Sequence, residues 1–170
     1  MEIAIVGCGA IVESFYMPAI NKRDSINKIY LIDRNLDRAQ AIQALIKTDS
    51  QVLDNYISVL DKVDGAIIAT PPSSHFTIAK DFLNKNIPVL VEKPLAETQA
   101  GVNELVEILG AMNGKLMVNN TRRYFPTNQA IKKAITDGVI GDFERITYHE
   151  GGEYNWPTVS GFYLNKEANA

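Results

Sequence analysis

The first twelve residues, Met1-Glu-Ile-Ala-Ile-Val-Gly7-Cys-Gly9-Ala-Ile-Val12, decide the fold. An unbroken apolar run over residues 3–6 ends in two glycines spaced one apart. Such a run reads as a strand covered on both faces, and the glycines as a turn into a helix. A strand–turn–helix entry of this kind lets backbone N–H groups come close to a pyrophosphate. A second apolar run, residues 28–33 (KIYLID), ends in a carboxylate. It stands about 20 residues on, where the dinucleotide fingerprint puts the acid that meets the adenosine ribose hydroxyls. Gly7, Gly9, Ala10 and Ile11 are therefore the candidate pyrophosphate residues, and Asp33 the candidate ribose residue. The third small position of the fingerprint holds Val12. That predicts a slightly wider approach of helix to sheet, with the phosphate site kept. The competing reading of both glycines is an ordinary tight turn with no ligand.

Working outward, apolar strands and helices alternate for 120 residues. Strands are expected at residues 51–53, 65–70 (GAIIAT), 88–92 (PVLVE) and 115–119 (KLMVN). Helices are expected over 10–22, bent or restarted at Pro18, over 36–47 behind the cap Asn35, from Ser73 or Ser74 to 84, and from Thr98 to 112. Six strands alternating with helices predict an α/β fold, a doubly wound parallel sheet. Ligands of such sheets lie outside the carboxyl ends of the strands. Those ends carry Gly7, Asp33, Thr70, Glu92 and Asn119.

Beyond residue 120 the pattern changes. Residues 125–138 read as an amphipathic helix, with Ala130, Ile131, Ala134 and Ile135 apolar. Residues 143–149 (FERITYH) alternate apolar and polar, which predicts an antiparallel strand with one solvated face. The expected division is a dinucleotide-binding domain over 1–120, then a linker helix and the first strand and loop of an incomplete α+β domain over 121–170.

The balance of charge, −3 over 170 residues, disfavours nucleic acid and anionic membrane as partners. No apolar run approaches the roughly 20 residues of a membrane span, and the chain opens directly into a strand with no basic leader. Cys8 is the single cysteine, so no internal disulfide forms, no C-x-x-C exists and no metal site is expected. A cytoplasmic location is the expectation. Cys8 reads as a small filler of the turn.

Two further segments, Ala69-Thr-Pro-Pro-Ser-Ser-His75 after the fourth strand and Val91-Glu-Lys-Pro-Leu-Ala96 after the fifth, join the opening VGCGAIVESF and the later VNNTRRYFP (118–126). Together they resemble the glucose–fructose oxidoreductase, inositol 2-dehydrogenase and MocA family over essentially the whole chain. The resemblance implies a two-domain NAD(P)-dependent dehydrogenase of sugars, cyclic polyols or related small molecules, commonly a homo-oligomer. It implies that Lys93 is the catalytic lysine and touches substrate. Glu92 and Pro94 would position the nicotinamide end, and Thr70, Pro71 and His75 would line its ribose and the pyrophosphate edge. Asn120 and Arg123 would lie near nicotinamide and substrate. The family's further aspartate and histidine, from a helix of the second domain, fall beyond Ala170.

The chemistry beside that resemblance is independent of it. As hydride leaves a carbinol carbon, alkoxide-like charge develops on oxygen, and a nearby lysine ammonium stabilises it or relays the proton. Pro94 restricts the backbone of Lys93 to extended geometry, which aims the side chain. Asp33 accepts from ribose hydroxyls and repels a 2′-phosphate, which favours NAD over NADP. Arg34 argues the other way, since a guanidinium there attracts that phosphate or stacks on adenine. Trp156 and Tyr163 read as substrate-stacking aromatics of a loop, with core packing as the alternative, and His149 as a surface histidine. A non-catalytic NAD(H)-binding module, sensor or structural subunit is the competing reading from another class. A flavin or nucleotide-sugar enzyme is weaker, because Glu-Lys-Pro then has no role.

Overall fold

The computed structural model describes residues 1–112, 114–142, 144–149 and 151–153. Six parallel strands form one sheet: β1 (Glu2–Val6), β2 (Lys28–Ile32), β3 (Asp49–Leu53), β4 (Gly65–Ile68), β5 (Val89–Glu92) and β6 (Leu116–Asn119), in the order β3-β2-β1-β4-β5-β6. This is the doubly wound sheet expected from the alternation of apolar runs. The order reverses at β1, which pairs with β2 from Glu2↔Lys28 and with β4 from Ile3↔Gly65.

Successive strand residues point to opposite faces, and each face builds its own core. Ala4 and Val6 pack with Ile68, Val89 and Val91 beneath Phe82 and Leu83 of α3 (His75–Asn84) and Leu105 of α4 (Gln99–Met112). Ile3 and Ile5 pack with Ile29 and Leu31 beneath α1 (Met17–Ile20) and Ala39 and Ile42 of α2 (Leu36–Gln43).

Local chemistry explains the element ends. The helix over residues 10–20 is interrupted by a π turn, Val12–Tyr16, just ahead of Pro18. Pro18 has no N–H for the usual bond to the preceding turn, and a wide turn absorbs the loss. Val12 is fully buried at the start of that wide turn. Asn35 caps α2 as expected, accepting from the N–H of Asp37 and Arg38. The helix ends at Gln43, four residues short of the expected 47. There the Asn21 side chain takes over, donating to the Leu45 carbonyl at 2.8 Å and accepting from Lys47 N–H at 3.2 Å. Thr98 Oγ1 accepts from Gly101 N–H at 3.1 Å and so caps α4. The expected serine cap of α3 is corrected: the Ser74 hydroxyl lies 2.8 Å from Thr70 Oγ1 and 2.9 Å from the Pro71 carbonyl, and makes no cap bond.

A second compact unit begins at Asn120. It holds a 3-10 turn, Thr121–Tyr124, and the helix α5 (Pro126–Thr136). The strand expected over 143–149 is not formed: residues 144–149 are irregular. A lone strand leaves its backbone donors and acceptors unmatched, and among the described residues none lies beside this segment in a sheet. Its apolar residues find another use. Ile146 and Tyr148 line a hollow of about 310 Å³ with Ile131 and Ile135 of α5. No helix of the described residues is long and apolar enough to cross a membrane.

Candidate active site

The carboxyl edge of the sheet gathers the first set of candidates around the point where strand order reverses. Gly7 follows β1 with φ +94°, a backbone state that side chains resist. It also lies against the exit of β4: a Cβ there would sit 2.6 Å from the Ala69 carbonyl oxygen and 2.8 Å from Thr70 N. Gly7 N–H donates to the Ile32 carbonyl, and Ala69 N–H to that of Val6, each at 2.8 Å, so the three strand ends are locked together. Gly9 differs. A Cβ there would meet nothing within 4 Å, so it faces open space. Its carbonyl accepts from Val12 and Glu13 and starts the helix. The N–H groups of Gly9, Ala10 and Ile11 have no partner among the described residues. Three free donors at a helix start beside an open glycine suit a pyrophosphate.

Asp33 ends β2 next to this turn and does more than was expected of it. One carboxylate oxygen accepts from Cys8 N–H and the other from Asn35 N–H, both at 2.8 Å. The acid therefore holds the glycine turn in place and retains lone pairs for ribose hydroxyls. Cys8 is 4% exposed. Burial first, then the Asp33 charge, push its thiol up to about 12. It is a filler, as expected, and no nucleophile.

The edge of β4 and β5 is braced by His75. Its ring is 1% exposed. Nδ1 lies 2.7 Å from the Pro94 carbonyl oxygen and Nε2 2.7 Å from that of Thr70. Both ring nitrogens are taken up by the two loops, so the histidine joins the Thr-Pro-Pro segment to the Glu-Lys-Pro segment. A neutral imidazole has one N–H and one acceptor nitrogen. Thr70 is partly buried and Pro71 exposed on the first of these loops. Lys93 and Pro94 are exposed and joined by a cis peptide bond. The Lys93 ammonium has no ion-pair partner among the described residues.

Beside Lys93 the strand-end residues Glu92 and Asn119 meet a partner that sequence reasoning missed, Tyr16. Tyr16 Oη donates to Glu92 Oε1 at 2.9 Å. Asn119 Nδ2 donates to the same carboxylate oxygen at 2.6 Å and to Tyr16 Oη at 2.8 Å. Burial, then the charge and hydrogen bond of Glu92, raise the Tyr16 phenol well above its ordinary range, with Asn119 opposing. Tyr16 stands four residues from Val12 on one helix face, the spacing of a core filler. Only the fold brings it to a carboxylate 76 residues away.

Of the remaining candidates, Arg34 is exposed after Asp33. Asn120 and Arg123 are exposed in the second unit, Arg123 within its 3-10 turn. Trp156 and Tyr163 lie outside the described residues. Among the described residues no group of acidic, His and Cys side chains is placed to hold a metal ion.

Comparison with known proteins agrees with this geometry. A family model described as an oxidoreductase family with an NAD-binding Rossmann fold matches residues 1–120. Oxidoreductase P35 of Formosa agariphila is 29% identical over 144 residues, covering 81% of this chain and 43% of that protein. Inositol 2-dehydrogenase of Serratia proteamaculans is 30% identical over 148 residues, covering 84% and 43%. The chain thus spans less than half the length of these relatives. Among solved structures, apo scyllo-inositol dehydrogenase from Lactobacillus casei superposes with a TM-score of 0.75 at 18% identity, over 84% of this chain and 43% of that one. A 3-ketoreductase from Actinomadura kijaniata in complex with TDP-benzene and NADP reaches 0.71 at 22%, over 84% and 44%. At such identities these two speak for the fold alone. With the family match lying on the glycine turn, Asp33 and the Glu-Lys-Pro segment, the chain belongs to the Gfo/Idh/MocA oxidoreductase family and carries its Rossmann fold.

Proposed function

We propose that this chain is the nucleotide-binding part of an NAD-dependent dehydrogenase acting on a hydroxyl-bearing carbon of a sugar, cyclic polyol or related compound. In this reading residues 1–120 hold the dinucleotide and residues 121–170 begin the substrate domain. The observation that carries it is the crevice at the sheet's reversal point. Three N–H groups (Gly9, Ala10, Ile11) without a partner among the described residues stand there beside a carboxylate already anchored to the same turn. The inositol 2-dehydrogenases among the relatives suggest the substrate class.

Each residue has a physical task. The turn binds the pyrophosphate by backbone donation, close in because Gly9 has no side chain. Asp33 takes the adenosine ribose hydroxyls, which favours NAD over a cofactor with a 2′-phosphate, despite Arg34 next to it. NAD supplies the hydride acceptor when bound. Lys93, exposed and without an ion pair among the described residues, places a positive charge at the carboxyl end of β5, where it stabilises the oxyanion that forms as the carbinol proton is lost. His75 fixes the carbonyls on either side of this site rather than touching cofactor.

Titration of the chain with NADH and NADPH, followed by cofactor fluorescence, tests the reading. Saturable binding with NADH favoured is expected, and Lys93→Met should leave it unchanged. If neither cofactor binds, the reading fails. If NADPH binds more tightly, the assignment of Asp33 and Arg34 is reversed.

A further inference from the structure

Three backbone segments at the carboxyl edge are joined in series. The first is the glycine turn, whose Gly9, Ala10 and Ile11 N–H groups have no partner among the described residues. The second is the exit of β4. Gly7 lies so close to the peptide unit between Ala69 and Thr70 that a Cβ would sit 2.6 Å from the Ala69 oxygen. Gly7 N–H donates to the Ile32 carbonyl and Ala69 N–H to that of Val6, each at 2.8 Å, so neither strand end moves alone. The third segment is the exit of β5, which carries Lys93. His75 bridges the second and the third: Nε2 lies 2.7 Å from the Thr70 oxygen and Nδ1 2.7 Å from the Pro94 oxygen. The bridge is stiff. Its ring is a rigid plane, 1% exposed, on the first residue of α3. When the Thr70 carbonyl shifts, the ring turns with it and carries its other nitrogen toward or away from the Pro94 carbonyl. Close-packed interiors transmit such shifts instead of absorbing them. Lys93 directly precedes Pro94, and no ion pair among the described residues holds its ammonium elsewhere. The placing of the Pro94 peptide therefore sets where that charge stands.

We propose that His75 is a positioning residue that couples the pyrophosphate turn to Lys93. A pyrophosphate seated on Gly9, Ala10 and Ile11 acts on the lysine through Gly7, the Thr70 carbonyl, the imidazole ring and the Pro94 carbonyl, a contiguous path of packed and hydrogen-bonded groups. The inference rests on the cofactor reading above and goes beyond it, because the buried ring touches neither dinucleotide nor substrate. The coupling is reciprocal: the arrangement of the Lys93 loop that the pyrophosphate favours also favours the pyrophosphate.

The test is two-dimensional amide NMR of the chain titrated with ADP. ADP fills the adenosine and pyrophosphate positions and has no nicotinamide half to meet Lys93 directly. In the parent it should move the amide signals of Gly9, Ala10 and Ile11, then that of Thr70, and beyond the ring those of Lys93 and Leu95. His75→Phe keeps a ring of similar bulk and removes both nitrogens. His75→Gln keeps a polar group there on a flexible chain. In either variant, with thermal unfolding still cooperative, ADP should move Gly9, Ala10, Ile11 and Thr70 as before, while the response of Lys93 and Leu95 is lost. A histidine that only props up the fold would alter the signals of the free protein and leave their response to ADP in place. Lys93 and Leu95 unmoved in the parent, with the glycine turn responding, would overturn the proposal, and this arm needs no variant. A response of Lys93 and Leu95 that survives in a folded variant would show a path around His75 and overturn it as well. Gly9, Ala10 and Ile11 unmoved in the parent would instead overturn the cofactor reading, and this inference with it.

Discussion

The two glycines of the opening turn should respond to the same substitution in opposite ways. At Gly7 an added methyl runs into the peptide unit between Ala69 and Thr70: 2.6 Å from the Ala69 oxygen, 2.7 Å from its carbonyl carbon and 2.8 Å from Thr70 N. None of these atoms can swing aside. Ala69 is tied to Val6 by a 2.8 Å bond, and Gly7 to Ile32 by another, so retreat breaks the sheet at its centre. The φ of +94° adds a penalty of its own, roughly 1–2 kcal/mol for a residue with a Cβ. Overpacking adds about 1–3 kcal/mol. Gly7→Ala should therefore destabilise the fold by about 2–5 kcal/mol, a fall in Tm of roughly 5–15 °C for a chain of this size. At Gly9 the same methyl meets nothing within 4 Å. Gly9→Ala should change stability by no more than about 0.5 kcal/mol, while NADH affinity falls by about tenfold or more as the methyl takes the phosphate's place. Thermal unfolding by circular dichroism with NADH titration reads both. Equal loss of stability in the two variants, or undiminished NADH binding in Gly9→Ala, would refute the division of one glycine for the fold and one for the ligand.

Asp33→Asn should lower stability by about 1.5–3 kcal/mol in thermal unfolding, because two backbone N–H groups need two oxygens and an amide offers one; an unchanged Tm would show the turn standing without the acid. Phe82→Ala, at a fully buried side chain of α3, should cost about 3–5 kcal/mol by urea unfolding, and a loss below about 1 kcal/mol would mean that this core closes over the gap. Raising the pH from 9 should destabilise the protein progressively, because the Cys8 thiol ionises near 9 when unfolded but only at about 12 when folded, so the unfolded state loses its proton first. The slope approaches about 1.4 kcal/mol per pH unit for this one group, and the difference between the parent and Cys8→Ala isolates it from Tyr16 and Tyr56, which act in the same direction; equal alkaline profiles for the two proteins would remove the thiol from the account.

What could be read from the chain alone was what local pattern dictates. Apolar runs such as residues 3–6 and 65–68 cannot face water on either side, so the parallel sheet followed, and the glycines and Asp33 were legible because their chemistry is set by spacing along a strand. The misses share one cause. Tyr16 carries no local sign of function, and its link to Asn119 spans 103 residues. The histidine could be seen but not its double engagement, which depends on two loops meeting. Residues 143–149 alternate like a strand, yet alternation describes a face and cannot supply the neighbour that a strand requires.

The register of β1 carries a consequence for how the domain assembles. Its pairing with β2 closes within the first 32 residues, whereas its other edge stays unmatched until Gly65 has been made and returned to Ile3. Because nearby segments meet sooner than distant ones, the half built from β1, β2 and β3 can form while the future centre of the sheet is still an outer edge. That edge is Ile3 to Val6, apolar and open to any passing strand. A nascent or clipped chain that ends before Gly65 therefore displays as its rim what the finished protein keeps at its middle, and the arrival of β4 is the step that removes the template for mispairing.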